Sequence, residues 1–247
     1  WQAIKNIKAF KAPAKDGLQV IFFLKNWRII GQSVCHFIIN CFQKKSIPDE
    51  INETQIVLIP KLENPETIKQ LRPISLSKVT YKTITKIIVN RRRPLLFDLI
   101  SPNQSSFIPG RNTTDNIIIT QEILDMLKHK KGKRGGMVFK IDLEKPYDRL
   151  SWDFIRETFL EFKLNDKWIN LIMSCVSNSQ SSFLWNREIM DGIHNKRGLR
   201  QGDPLSRYLV VLCMERLSNM INYKVQKRSW KGLKASANSP PLSRLFF

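Results

Sequence analysis

Acid is scarce in this chain. Of 247 residues, 41 are Lys or Arg and 21 are Asp or Glu, so the formal charge is 41 − 21 = +20. After Glu215 no acid occurs, while Arg216, Lys224, Lys227, Arg228, Lys231, Lys234 and Arg244 follow, with Trp230 among them. An acidic solvating segment is excluded. Cysteine is sparse as well: Cys35, Cys41, Cys175 and Cys213 show no C-x-x-C spacing, and His36, His129 and His194 are scattered. That pattern argues against a zinc site and a disulfide scaffold. Thiols with apolar neighbours are expected as reduced core residues of an intracellular protein, nuclear and cytoplasmic placement fitting equally. With 10 Gly and 12 Pro, a collagen-like chain is excluded. The longest uncharged stretch, 168–186, is broken by Ser, Asn and Gln, so neither a transmembrane helix nor a membrane partner is expected. No secretory signal pattern opens the chain. It begins at Trp1 without an initiator Met and closes on Leu245-Phe246-Phe247, which leads us to expect a piece of something longer.

What is present is a globular composition, 42% hydrophobic and 10% aromatic. The length suits roughly one to two domains with a real core. A folded, strongly basic protein faces polyanions, nucleic acid first among them. The basic stretches are spread: Arg91-Arg92-Arg93, the run from Lys128 to Arg134, and the acid-free tail. A groove that tracks a phosphate backbone needs such a spread.

Local patterns give an order of elements. Ala12 to Gly17 is turn chemistry. Apolar residues from Ile30 to Phe42 recur at helical spacing, predicting a helix over about 24–43 that Ser46-Ile47-Pro48 ends. Thr54 to Ile59 reads as a strand, and Leu62 to Pro73 as a loop or ribbon. Helices are expected over Ser77 to Arg93, over Thr113 to Lys131 (with Thr114 or Asp115 as cap), from Ser151-Trp152-Asp153, over Asp166 to Ser177, and over Pro204 to Tyr223. Met137 to Asp142 and Ser182 to Ile189 are predicted strands. The order, helix-rich first and mixed later, suggests an α+β chain with two lobes.

Two features could carry chemistry. Period-two alternation in Met137-Val138-Phe139-Lys140-Ile141-Asp142 puts the apolar residues on one face and leaves Asp142 at a strand end. There it could hold a hard divalent cation beside a phosphate, or simply cap the next turn. In the stretch Arg197 to Ser206, glycines permit close backbone approach, Gln201 offers donor and acceptor, and Pro204 starts a helix whose free N–H groups favour anions. A plain turn before a helix accounts for it equally. Lys61 and Arg72 bracket a polar loop and could clamp phosphates, or be solvated only.

Taken in order, these pieces resemble the reverse transcriptase of plant LINE-type (non-LTR) retrotransposons along nearly the whole chain. The matching stretches are Lys11 to Gly17, Val57 to Lys61 with Asn64-Pro65, Leu71 to Leu76, Ser101 to Arg111 with Asp115-Asn116, Lys140 to Leu150, and Arg197 to Ser206. The resemblance implies a right-hand polymerase fold with fingers and an incomplete palm, the thumb absent. It divides the chain into an N-terminal fingers extension, 1–50, and a reverse transcriptase domain, 51–247, with fingers over 51–135 and partial palm over 136–247. It implies RNA template, DNA primer and deoxynucleoside triphosphates as partners, and two Mg²⁺ ions as cofactors. Asp142 is then the catalytic metal-binding carboxylate, assisted by the backbone carbonyl of Leu143. Tyr147 resembles the aromatic that excludes a ribose 2′-hydroxyl. Gln201 and Gly202 resemble the element that meets nucleotide and template, Lys61 and Arg72 finger residues near the triphosphate, and Arg111, Arg197 and Arg200 nucleic-acid contacts.

Departures from that pattern shape a further expectation. The Phe-Ala-Asp-Asp hairpin that supplies the remaining carboxylates does not occur. Leu242 to Phe247 resembles only the strand that leads into it, so the chain is expected to be truncated and inactive. The alternative is a non-catalytic basic module that grips RNA or RNA–DNA hybrid. Ala14-Lys15 stands in place of Gly-Pro, and Pro146 in place of Ala. Arg207 replaces a Pro, and Arg92 falls on a helix face expected to be buried, at a cost of several kcal/mol if unpaired.

Overall fold

The computed structural model describes residues 1–131, 135–177, 179–186, 188–236 and 238–246. In chain order the helices are α1 (Gln2–Lys5), α2 (Val20–Lys25), α3 (Trp27–Lys44), α4 (Asp49–Asn52), α5 (Val79–Arg92), α6 (Leu96–Leu99), α7 (Thr113–His129), α8 (Pro146–Arg149), α9 (Trp152–Glu161), α10 (Asp166–Ser177) and α11 (Pro204–Gln226). The strands are β1 (Thr54–Pro60), β2 (Leu71–Ser77), β3 (Gln180–Trp185), β4 (Glu188–Ile189) and β5 (Ile193–His194). The mixed α+β character expected from the sequence is observed. No helix among the described residues is long and apolar enough to cross a membrane.

Two compact units form: Trp1–Arg92 with Lys145–Leu209, and Arg93–Glu144 with Val210–Phe247. Compactness therefore does not follow linear boundaries at 50 and 135. The cause is one strand pairing: β3 lies parallel to β1, Thr54 opposite Ser181 and Val57 opposite Leu184, which draws 145–209 into the first unit.

The sheet of the first unit runs β2-β1-β3-β4, with β5 also on β3. β1 and β2 form an antiparallel ribbon from Thr54↔Ser77 to Pro60↔Leu71. The expected loop over 62–73 thus becomes a strand in its last residues, because β-branched Ile56, Val57 and Ile59 need a partner ladder. The single strand expected over 182–189 is instead the β3–β4 pair, with Trp185 opposite Glu188. One apolar cluster joins Ile4, Ile7, Val20, Phe23 and Val79, with Leu18, Leu24, Trp27, Ile30 and Val34 packed around it. Tyr81, Ile84 and Ile88 of α5, Ile155 and Phe159 of α9, and Ile169 of α10 are also buried.

Arg92 departs from its expected cost. It is half-buried, and its guanidinium lies 4.5 Å from the centroid of the Trp168 ring. Burial lowers its pKa, yet the stacked aromatic face supplies a cation–π partner. Neighbouring Arg91 stands 5.3 Å over Phe42, itself edge-on to Trp168 at 6.3 Å.

In the second unit α7 is capped by Asn112, whose side chain accepts from the Thr114 N–H at 3.1 Å, so neither Thr114 nor Asp115 is the cap. Asn116 on α7 is buried and its amide donates to Asn103 O at 3.1 Å, Ser105 Oγ at 3.0 Å and Phe246 O at 2.8 Å. The stretch before Phe247 forms no strand among the described residues, only isolated bridges, Leu233↔Leu242 and Gln104↔Phe246. Phe247 itself lies outside them, as do residues 132–134 of the basic run.

The expected strand over 137–142 is not formed. Met137, Phe139 and Ile141 are all largely exposed, and the segment enters no ladder among the described residues. Alternation makes a sequence compatible with a strand, but a strand exists only against a neighbour that takes its N–H and C=O groups. Among the thiols, Cys41, Cys175 and Cys213 are buried as expected, whereas Cys35 is exposed on α3.

Replacing Asn116 by Ala removes three bonds that tie separate segments of the second unit, and is expected to cost about 1–3 kcal/mol. Urea denaturation followed by intrinsic fluorescence measures it.

Candidate functional site

The feature that assembles the first unit's candidate site is the loop from Gly198 to Asp203. Gly198 adopts φ +90°, and a Cβ there would stand 2.9 Å from Asp148 O and 3.1 Å from Tyr147 O. Only glycine lets the loop come this close. The Gly198 N–H donates to Leu150 O at 2.8 Å, the Leu199 N–H to Tyr147 O at 2.6 Å, and Trp152 Nε1 to Gly198 O at 2.8 Å. The loop is thereby pinned to the turn beneath Tyr147. On its other side the Ser75 N–H of β2 donates to Gln201 O at 3.1 Å. Gly202 follows at φ +107°, a region other residues rarely adopt.

Arg200 holds this loop from below. It is 9% exposed, and each of its five N–H donors has an acceptor. Nε donates to Thr54 Oγ1, one terminal nitrogen to the Tyr81 hydroxyl and to Cys175 O at 2.6 Å, and the other to Asn52 O and to Asn52 Oδ1 at 2.8 Å. Its carbon also sits 4.4 Å from the Tyr81 ring centroid. No donor is left for a phosphate. The expected nucleic-acid contact at Arg200 is therefore corrected to a structural anchor.

Asp203 completes the anchor. It is 5% exposed, accepts from Thr85 Oγ1 at 2.7 Å and from the Tyr81 hydroxyl at 3.4 Å, and caps α11 by accepting from the Leu205 N–H. Burial raises its pKa, opposed by the Thr85 bond and by the Arg200 charge. Burial also pushes the Tyr81 hydroxyl well above its ordinary value.

The other expected residues of the first unit fall as follows. Tyr147 is half-buried at the second position of α8, and burial raises its pKa while the charge of Arg207 lowers it. Pro146 occupies the first helical position, where a missing N–H costs nothing. Lys61 and Arg72 are exposed at one end of the β1–β2 ribbon, Arg72 opposite Ile59 and Lys61 just past Pro60. Lys61 Nζ donates to Lys69 O at 3.0 Å. Arg197 is exposed. Tyr147, Gln201 and Gly202 are thus tied together through one loop, and β2, which bonds to that loop through Ser75, also carries Arg72.

The second unit carries Asp142, Leu143 and Arg111. Asp142 and Leu143 are exposed on the unpaired stretch. Arg111 donates to Gln104 O at 2.7 Å, Ile100 O at 2.9 Å and Ser101 O, which makes it the clamp of the 100–104 turn. Among the described residues no three His, Cys, Asp or Glu side chains cluster to hold a metal ion. A two-ion centre needs several carboxylates, and a lone exposed Asp142 does not supply them. The residues described do not fit that group.

Asn52 and Tyr81 were not singled out from the sequence, Cys175 was expected only as a core thiol, and Asp203 lay in the Arg197–Ser206 stretch without a role of its own. Only Asp203 carried a local signal, an acid immediately before a helix-starting Pro.

With this geometry in view, similarity to known proteins adds the class. The profile described as "Reverse transcriptase (RNA-dependent DNA polymerase)" matches residues 59–235, well over half of the chain, and the chain belongs to that family. It is 27% identical over 217 residues to the Transposon TX1 uncharacterized 149 kDa protein of Xenopus laevis, covering 87% of this chain and 16% of that protein. It is 26% identical over 174 residues to the retrovirus-related Pol polyprotein from the type-2 retrotransposable element R2DM of Drosophila melanogaster, covering 70% of this chain and 16% of that one. An uncharacterized mitochondrial protein of Arabidopsis thaliana is 47% identical over 51 residues, 21% of this chain and 42% of that protein. The chain therefore spans only about a sixth of the two transposon proteins.

Gly198→Ala is expected to destabilise the first unit by about 1–3 kcal/mol through its positive φ and the Asp148 carbonyl, measured by thermal or urea melting. The pH dependence of Asp203 has a definite sign. Its folded-state pKa lies above the unfolded value, so its contribution is most favourable at acid pH and is lost as pH rises through the folded pKa. Asp203→Asn removes that titration, and the stability of the wild-type chain relative to this variant is expected to fall as pH rises from acid to neutral, read from paired melts.

Proposed function

We propose that this chain is the nucleic-acid- and nucleotide-seating part of an RNA-directed DNA polymerase of a non-LTR, plant LINE-type retrotransposon. The observation that carries the reading is the loop Gly198–Asp203, bonded at once to the Tyr147 turn and to β2. It gathers on one rigid anchor the residues that resemble the family's nucleotide-contacting element. Tyr147 would stand against the ribose of an incoming deoxynucleotide, where a ring rejects a 2′-hydroxyl by clash. Gln201 and Gly202 would meet nucleotide and template. Lys61 and Arg72, exposed at one ribbon end, suit the triphosphate, and Arg197 suits a template phosphate. The identity to the Arabidopsis protein supports the plant assignment.

A second reading, non-catalytic binding of RNA or RNA–DNA hybrid, is favoured by Asp142. One carboxylate on an unpaired stretch does not support nucleotidyl transfer by itself, whereas a charge of +20 supports phosphate contact.

Purified 247-residue chain is expected to bind single-stranded RNA with affinity falling at least about tenfold between about 50 and 200 mM salt. It is expected to give no primer extension. Filter binding across a salt series and a primer-extension gel check both. Salt-insensitive binding removes the nucleic-acid reading, and Mg²⁺-dependent extension abolished by Asp142→Asn removes the non-catalytic one.

A further inference from the structure

Residues 135–145 are exposed without interruption. Within them Met137, Phe139, Ile141 and Leu143 alternate with Val138, Lys140 and Asp142, and Phe139 and Ile141 are 69% and 78% exposed. Alternation of this kind suits a strand with one apolar face. None of residues 137–143 makes a backbone hydrogen bond among the described residues. Only Lys145, at the far end, has a positive φ, so no left-handed residue interrupts the stretch. Its start is held: a Cβ at Gly136 would stand 2.6 Å from Leu127 Cδ2 of α7 and 2.8 Å from Leu233 Cδ2. Open N–H and C=O groups beside exposed apolar side chains, tethered to a folded unit, form a template for another strand.

Charge decides which strand fits. Opposed residues lie on one face of a ladder, so pairing the stretch with itself keeps the apolar side together only where odd positions oppose odd ones. Parallel pairing in register sets Lys140 against Lys140 and Asp142 against Asp142. An antiparallel two-fold at residue 140 again opposes Lys140 to itself, and one at residue 142 opposes Asp142 to itself. A two-fold at Ile141 sets Lys140 of each copy against Asp142 of the other, Phe139 against Leu143, and Ile141 against itself. Opposite charges and apolar pairs favour this register, while like charges directly opposed disfavour the others.

We propose that residues 139–143 are a self-recognition strand, which pairs antiparallel with the same residues of a second copy of this chain about a two-fold axis at Ile141. Each copy supplies the ladder that the other lacks, so main-chain hydrogen bonds give the attraction and the side-chain pairs fix the register. The paired state occupies the Asp142 carboxylate with a lysine of the second copy, a use distinct from the metal binding that the family resemblance implies. The proposal does not rest on the nucleic-acid reading and is tested with no nucleic acid present.

The test is sedimentation velocity of the full chain, stripped of nucleic acid by nuclease and high salt. A concentration series is run at about 0.15 M salt, where repulsion between two such basic chains is screened beyond roughly 8 Å. The wild-type chain is expected to pass from monomer to dimer as concentration rises. Lys140→Asp opposes Asp to Asp, and Asp142→Lys opposes Lys to Lys. Each is expected to weaken the dimer about tenfold, because two symmetry-related pairs turn from attraction to repulsion. Mixing these two variants opposes Asp to Lys at both places and is expected to restore association as a mixed dimer. Ile141→Lys, which sets like charges together on the axis, is expected to act in the same direction and carries the test if a charge variant does not fold. A wild-type chain that stays monomeric, growth beyond a dimer, variants that dimerise as the wild type does, or a mixture no better than its components overturns the proposal. RNA binding, read separately by filter binding, stands or falls independently of each outcome.

Discussion

A buried guanidinium organises the first unit. Taking an arginine out of water costs several kcal/mol unless every donor finds an acceptor, and Arg200 finds them on the end of α4, the start of β1, α5 and α10. Four elements distant in sequence must therefore converge on one point before the residue can be buried. Asp203, three positions later, accepts from Thr85 and caps α11, so the segment between them has little freedom to move. Gln201 and Gly202 sit on that segment. Their placement is a consequence of the salt-free but fully hydrogen-bonded cluster beneath them.

This arrangement shows how one short stretch of chain combines backbone freedom with firm attachment. The glycines at 198 and 202 supply backbone conformations and close approach, while the arginine and aspartate between and beside them supply attachment. Buried polar networks are worth most when every member is satisfied, and the five bonds of Arg200 meet that condition.

The two units differ in how many of the residues singled out from the sequence they bring together. The first unit gathers the residues expected to meet nucleotide and template. In the second unit Asp142 stands on an exposed stretch that lacks a paired neighbour among the described residues. A strand there would need partners for its backbone groups, and a metal centre would need further carboxylates.

Much was legible in the sequence wherever the signal was local. The helix over Asp166–Ser177 and the strand from Thr54 follow from periodicity, Pro204 marks the start of α11, and the ordered motifs disclosed the reverse transcriptase family. Tertiary structure decided the rest, because the deciding contacts join residues far apart in the chain. Alternation in Met137–Asp142 could not reveal that no neighbouring strand pairs with it. Arg92 looked like a buried unpaired charge until Trp168 lay across it, and Arg200 looked like a phosphate ligand until its donors were counted against Asn52, Thr54, Tyr81 and Cys175. Sequence specifies which groups a residue brings; only packing decides whether those groups face water, a ligand or one another.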